Sequence, residues 1–213
     1  CLTDLSDAIN YNDIYNLLMS LSLTIYTPSN YIMPSKLAKY IDMTHHKGNS
    51  LTQQGREAGI RRLMSINLLK RLESSVASFR LTIDRIKKLI NDTIGTIKNY
   101  QSGDCVLNLT EISGAEDFDY DDQNTDFFSV GKKVKIDLAD MDYASWMREL
   151  EKDAENLELL SLMIADITPE HDTKLQTLFD LIRKKIEQPI NPGNKKIIIF
   201  TAFSDTADYL FAN

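Results

Sequence analysis

Between Ile60 and Tyr100 the chain reads IRRLMSINLLKRLESSVASFRLTIDRIKKLINDTIGTIKNY, 41 residues without a proline. Apolar residues fall at Ile60, Leu63, Met64, Leu68 and Leu72, then at Val76, Phe79, Ile83, Ile86, Ile90, Ile94 and Ile97, a spacing of threes and fours that lays one apolar stripe along a helix. Val76, Ile83, Ile90 and Ile97 recur every seven residues, so the second half carries a short coiled-coil-like seam and demands a partner helix. One unbroken helix of this length would run about 60 Å at roughly 1.5 Å per residue, more than a small domain is wide. A break is therefore expected, and Ser74-Ser75 is its natural place, because a serine side chain can accept the free N–H groups of a new helix.

The best partner lies between Tyr143 and Ile164, where Tyr143, Leu150, Leu157 and Ile164 are seven apart and Trp146 and Leu160 fill the seam. Trp146 reads as a core anchor rather than a base-stacking platform. A first helix is expected from Asn12 to about Ile25, on Ile14, Leu17, Leu18, Leu21 and Ile25. Pro28 and Pro34 bracket an extended turn, and Ser35 is expected to cap a short helix, KLAKYI. FFSVGKKVKIDL, residues 127–138, suggests a short strand or extended brace in which Val134, Ile136 and Leu138 alternate. Thr168 and Pro169 stand in the N-cap and first-turn order of another helix, with Leu175, Leu178, Phe179, Ile182 and Ile186 as its buried face. After Pro189, Pro192 and Gly193 comes KKIIIF, whose β-branched run predicts a buried parallel strand. The fold class expected is mainly α: an antiparallel bundle of long helices with a short terminal β-α piece.

Seven acids and no base lie between Glu111 and Asp126, a composition that predicts a mobile acidic loop at 111–126. An EF-hand loop counted from Asp117 would need glycine at its sixth position and glutamate at its twelfth, where Asp122 and Phe128 stand. His45 and His46 are adjacent and without a cysteine or carboxylate cluster, and Cys1 and Cys105 have no metal-like spacing. No metal is expected, and the thiols suit a reducing compartment. No apolar run approaches the roughly 18 residues of a membrane span and no signal-peptide pattern opens the chain, so no membrane partner and a cytoplasmic location are expected.

The net charge of −7 is unlike that of a stand-alone nucleic-acid binder. From Arg56 to Lys98, however, ten basic residues face four acidic ones, a local balance of +6 that leaves −13 for the remainder and predicts a basic helical face. Catalytic parts are missing. The only Gly-Lys pair, Gly131-Lys132, is followed by Lys133 and has no glycine five residues before it, so it is no phosphate-cradling loop. There is no GxSxG, HExxH or CxxC. Asp140 and Asp142 form an acid pair, but in a charge-rich segment expected to be solvated, so no autonomous catalytic site is expected.

Two stretches carry a resemblance. LLKRLESSVASF, Leu68 to Phe79 with RRLM ahead of it, resembles the helical segment between the two RecA-like motor lobes of bacterial superfamily 2 helicases of the Swi/Snf-like type, including those with a phospholipase D-like domain elsewhere. DTKLQTLFDLI, from Asp172, is similar to the helix entering the second lobe, and KKIIIFTAFSDTADYL resembles helicase motif IV, with Ile197 to Phe200 as its strand and Thr201, Ala202 and Phe203 as its exposed loop. The order matches the family, and the two stretches cover about a third of the chain. The family's phosphate loop and Asp-Glu box would precede this region, and its motifs V and VI with the arginine finger would follow. None is present in the sequence. The first residue is Cys1 and the last, Asn213, closely follows the motif IV-like stretch, which suggests a piece of a longer protein.

The resemblance implies three parts: residues 1–50, an N-terminal helix and extended linker; 51–167, the inter-lobe helical region; and 168–213, the entry helix and first strand-helix of a second lobe. It implies that the parent is an ATP- and Mg²⁺-dependent helicase or DNA translocase, that the helices brace the flanking lobes, and that this piece holds no cofactor and does not hydrolyse ATP alone. Arg61, Arg62, Lys70 and Arg71 are the expected phosphate contacts, from the basic segment and the family position, and Thr201 and Phe203 lie where the family's motif IV loop approaches nucleic acid. The competing reading is a helical protein–protein interaction module with an acidic loop.

Overall fold

The computed structural model describes residues 11–41, 53–101 and 136–213. The acidic loop at 111–126, the histidine pair, both cysteines and Val134 lie outside the described residues. Among the described residues seven α-helices follow in order: α1 (Tyr11–Ser20), α2 (Leu37–Ile41), α3 (Gln53–Ser74), α4 (Val76–Gln101), α5 (Tyr143–Met163), α6 (Thr173–Glu187) and α7 (Ser204–Ala212). The fold is mainly α, and no strand occurs among the described residues.

The long stripe breaks where its serines stand. α3 ends at Ser74 and α4 begins at Val76, with the Ser75 hydroxyl accepting the Ser78 N–H at 3.0 Å. That bond satisfies one of the donors a helix start leaves open. α4 then packs along α5 in the antiparallel sense. Arg80, near the start of α4, donates to the Ile164 and Ile167 carbonyls beyond the end of α5, Lys87 pairs with Glu158 at 2.7 Å, and Tyr100 meets Tyr143 edge-on at 5.6 Å. The seam is dry: Phe79, Ile83, Ile90 and Ile97 from α4 and Trp146, Leu150, Leu157 and Leu160 from α5 are all fully buried. Each aliphatic side chain so buried stabilises the pair by about 1.5–3 kcal/mol.

The first helix ends earlier than its apolar pattern suggests. α1 stops at Ser20, and Leu23, buried, adopts the left-handed region at φ 49°. For a residue with a Cβ this conformation costs roughly 1–2 kcal/mol. The Asp153 carboxylate of α5 offsets that cost by accepting the N–H groups of Ser22 at 2.7 Å and Thr24 at 3.3 Å. Trp146 Nε1 donates to the Thr24 carbonyl at 3.1 Å, which confirms the indole as a core anchor tied to the same turn.

Residues 136–142 form neither a strand nor a fully extended brace: a short 3₁₀ turn, Leu138–Asp140, interrupts them. They share one antiparallel bridge, Ile32 to Met141, with the N-terminal segment, through Met33 N–H to Asp140 O (2.9 Å) and Asp142 N–H to Tyr31 O (2.7 Å). Ile136 and Leu138 are buried in it. The acid pair is structural and not jointly solvated. Asp140 is buried, accepting from Lys39 and from the Tyr40 hydroxyl, and the Lys39 hydrogen bond is the main reason its carboxyl sits below the usual range. Asp142 is exposed and caps α5 by accepting the Ser145 N–H at 3.1 Å.

The C-terminal region departs most from expectation. α6 starts one turn later than Thr168-Pro169 suggests, because the Asp172 carboxylate accepts the N–H groups of Lys174 and Leu175 and thus outcompetes threonine as the cap. Of the apolar face expected for α6, only Leu175 is fully buried. Ile197 to Phe200 is not a strand: no strand partner for it occurs among the described residues, and Ile198 and Phe200 are 78% and 90% exposed. A terminal β-α piece is therefore not formed among the described residues. A β-strand exists only as a member of a ladder.

Candidate functional site

The six residues singled out from sequence separate into two places. Arg61, Arg62 and Lys70 are exposed on α3, and none forms an ion pair with another described residue. At 100° per residue, Arg62 and Lys70 stand about 80° apart on the outer face, beside Ile66, whereas Arg61 and Lys70 are about 180° apart. Burial raises the Tyr31 phenol above its ordinary value, and the charge of Arg61 opposes that shift only weakly. The basic segment is thus a pair of outward cations with a third to one side, rather than a single stripe.

Arg71 belongs elsewhere. Counting from Met64 and Leu68, it falls on the buried stripe of α3, and its side chain is 2% exposed. Its Nη1 donates to Asp205 Oδ2 at 2.7 Å and to Ser78 Oγ at 3.0 Å, and its guanidinium carbon lies 4.6 Å from the centroid of the Phe203 ring. Charge-assisted pairing and cation-π contact are both strengthened by this loss of water. Arg85, from α4, reaches the same Asp205 oxygen at 3.5 Å. Phe203 is accordingly buried, while Thr201 is exposed and its hydroxyl accepts the Phe203 N–H at 3.3 Å.

Around this point the helix break, α6 and α7 close a polar circuit. Thr206 Oγ1 contacts Ser74 Oγ at 2.9 Å and Ser75 Oγ at 3.1 Å. Lys174 Nζ donates to the carbonyls of Glu73 and Ser74 at the end of α3, where a cation complements the helix dipole. Tyr209 donates its hydroxyl to Asp172 Oδ2 at 3.1 Å, and burial, with Asp172 beside it, pushes the phenol up to about 12. The circuit walls one end of an open groove of about 750 Å³, lined farther out by Leu178 and Leu181 of α6, by Ile199 and Phe200, and by Leu210 of α7.

Nothing in this arrangement assembles a nucleophile with a base, and among the described residues no group of three His, Cys, Asp or Glu is placed to hold a metal ion. Charge counting missed Asp205, Asp172 and Asp153. Asp153 had left a readable trace, an acid in the apolar seam between Leu150 and Leu157. No helix among the described residues is long and apolar enough to cross a membrane. Searches of protein-family profiles, curated proteins and solved structures find no match to the chain.

Proposed function

We propose that the chain is the helical inter-lobe region, with the opening elements of the second RecA-like lobe, of an ATP-dependent DNA helicase or translocase of the Swi/Snf-like type. In this reading the α4–α5 bundle braces the two lobes, and the parent protein supplies ATP and Mg²⁺ chemistry from parts outside this sequence. The observation that supports it best is the state of Ile197 to Phe200. Four consecutive apolar residues run beside Leu178, Leu181 and Ile182 of α6 yet all four are exposed, Ile198 and Phe200 most of all. A segment apolar on both faces suits a central strand of a parallel sheet covered by helices on both sides. The flanking lobe of the same chain is the partner this calls for.

Nucleic-acid contact rests on Arg62 and Lys70, with Arg61 to their side, and Thr201 stays exposed at the motif IV-like loop. Arg71 and Phe203 lie in the buried junction, so this reading puts the weight of phosphate contact on the exposed cations instead. Residence in the cytoplasm accords with this reading. The test is fluorescence anisotropy of a labelled DNA duplex across a salt series. Arg62→Ala with Lys70→Ala is expected to weaken binding regardless of sequence and to lower the slope of log K against log salt by roughly 1.8, about 0.9 per lost phosphate contact. An unchanged affinity and slope removes the backbone contact.

The open apolar groove beside α6 favours a second reading, a helical module that binds a protein partner. That reading predicts no salt-dependent DNA binding in the unaltered chain.

A further inference from the structure

The polar circuit at the helix break does more than hold α7 in place. A helix interrupted at a single residue without proline has no covalent reason to keep one angle, so the angle between α3 and α4 is set by the core that Met64, Leu68 and Leu72 share with Val76 and Phe79, by the Arg71–Ser78 hydrogen bond, and by whatever else grips both sides of Ser75. α7 does so. Asp205, in its first turn, lies between Arg71 of α3 and Arg85 of α4, at 2.7 and 3.5 Å. The next residue, Thr206, sits in the notch itself, its hydroxyl shared between Ser74, the last residue of α3, and Ser75, the cap of α4. From the α6 side, Lys174 holds the final carbonyls of α3.

The geometry points to a mechanical coupler: α7, carried by the C-terminal segment, helps set the angle between α3 and α4, and with it the direction in which Arg62 and Lys70 face. Arg71 is a positioning residue in this device. The coupling stands whether or not those cations meet DNA, since it concerns only the angle at Ser75. Its energetic basis is an ion pair almost removed from water, where losing one partner leaves the other charge buried. A regulatory consequence follows. Any motion that lifts α7, such as rearrangement of a domain that follows it, is transmitted to the far end of α3, about 30 Å from the break for a helix of 22 residues at roughly 1.5 Å each.

The test uses the full 213-residue chain with Cys1 and Cys105 changed to serine and nitroxide labels at Ala58 on α3 and Asn91 on α4, both exposed. Pulsed electron spin resonance is expected to give one narrow distance distribution. In Asp205→Asn, amide exchange over residues 204–212 is expected to rise roughly tenfold or more while the α4–α5 seam stays protected. The Ala58–Asn91 distribution is expected to broaden and shift. Thr206→Ala, which leaves the ion pair in place, is expected to produce the same changes in smaller degree, and it serves as the readout should Asp205→Asn fail to fold. If the distance distribution is unchanged, the coupler is overturned. With faster exchange, that result would mean α7 leaves without moving the break; with unchanged exchange, it would mean these contacts do not hold α7. The salt series on Arg62 and Lys70 is independent of either outcome.

Discussion

Replacing Ile83 by aspartate is expected to abolish cooperative thermal unfolding of the chain. Ile83 is fully buried in the α4–α5 seam, in the same core cluster as Phe79, Ile86 and Leu157. The substitution removes an apolar contribution of about 1.5–3 kcal/mol and places a carboxylate among fully buried apolar side chains. An uncompensated buried charge costs several kcal/mol more, and the total is comparable with the roughly 5–15 kcal/mol by which a whole domain is stable. Far-UV circular dichroism on heating checks this. The expected result is a shallow, non-cooperative loss of helix signal, and a transition like that of the unaltered chain would contradict the packing described.

The second large effect is expected at Asp153. Its carboxylate takes the N–H groups of Ser22 and Thr24 and supports the left-handed turn at Leu23. Asp153→Ala leaves these amides without their acceptor at about 1–3 kcal/mol each, so a loss of about 3 kcal/mol is expected, roughly a 10 °C fall in Tm for a chain of this size. Asp153→Asn keeps one acceptor oxygen and is expected to cost less. The pH dependence separates charge from hydrogen bonding. Burial, the largest influence, pushes the Asp153 carboxyl up against the opposing pull of the backbone N–H groups. A folded value above the unfolded one means that the carboxyl's contribution is fully present below about pH 3.9 and is lost as pH rises through the folded value. Acidification from pH 7 is therefore expected to improve the unaltered chain relative to Asp153→Asn in denaturant melts. The opposite trend would show that the charged form is the one this site favours.

The long-helix architecture was written in the residues because a heptad seam and a serine cap are local signals with one geometric solution. The seams of Val76–Ile97 and Tyr143–Ile164 meet as their spacing suggests, and the break falls at Ser75 for the reason its side chain offers. What escaped depended on partners distant in sequence. α1 ends at Ser20 because of a carboxylate 131 positions beyond Ser22. The start of α6 moves to Asp172, whose carboxylate also receives Tyr209, a residue 37 positions away. KKIIIF has the composition of a strand, yet pattern cannot supply the neighbouring strands that would make it one. The candidate site suffered from a different error. Counting charge between Arg56 and Lys98 treats each cation as a surface group, whereas Arg71 lies on the apolar stripe and finds its counter-ion 134 residues later. Placing each charge on the helical wheel before counting separates it from Lys70 beside it.

The proposal of a motor's inter-lobe region is tested most directly by sequencing the native gene on both sides of the codons for these 213 residues. The expected result is a phosphate-binding GxxxxGK(S/T) motif encoded before Cys1 and a QxxGRxxR-like motif after Asn213 in the same reading frame. A start codon immediately before Cys1 and a stop codon immediately after Asn213, with neither motif in frame, would contradict it.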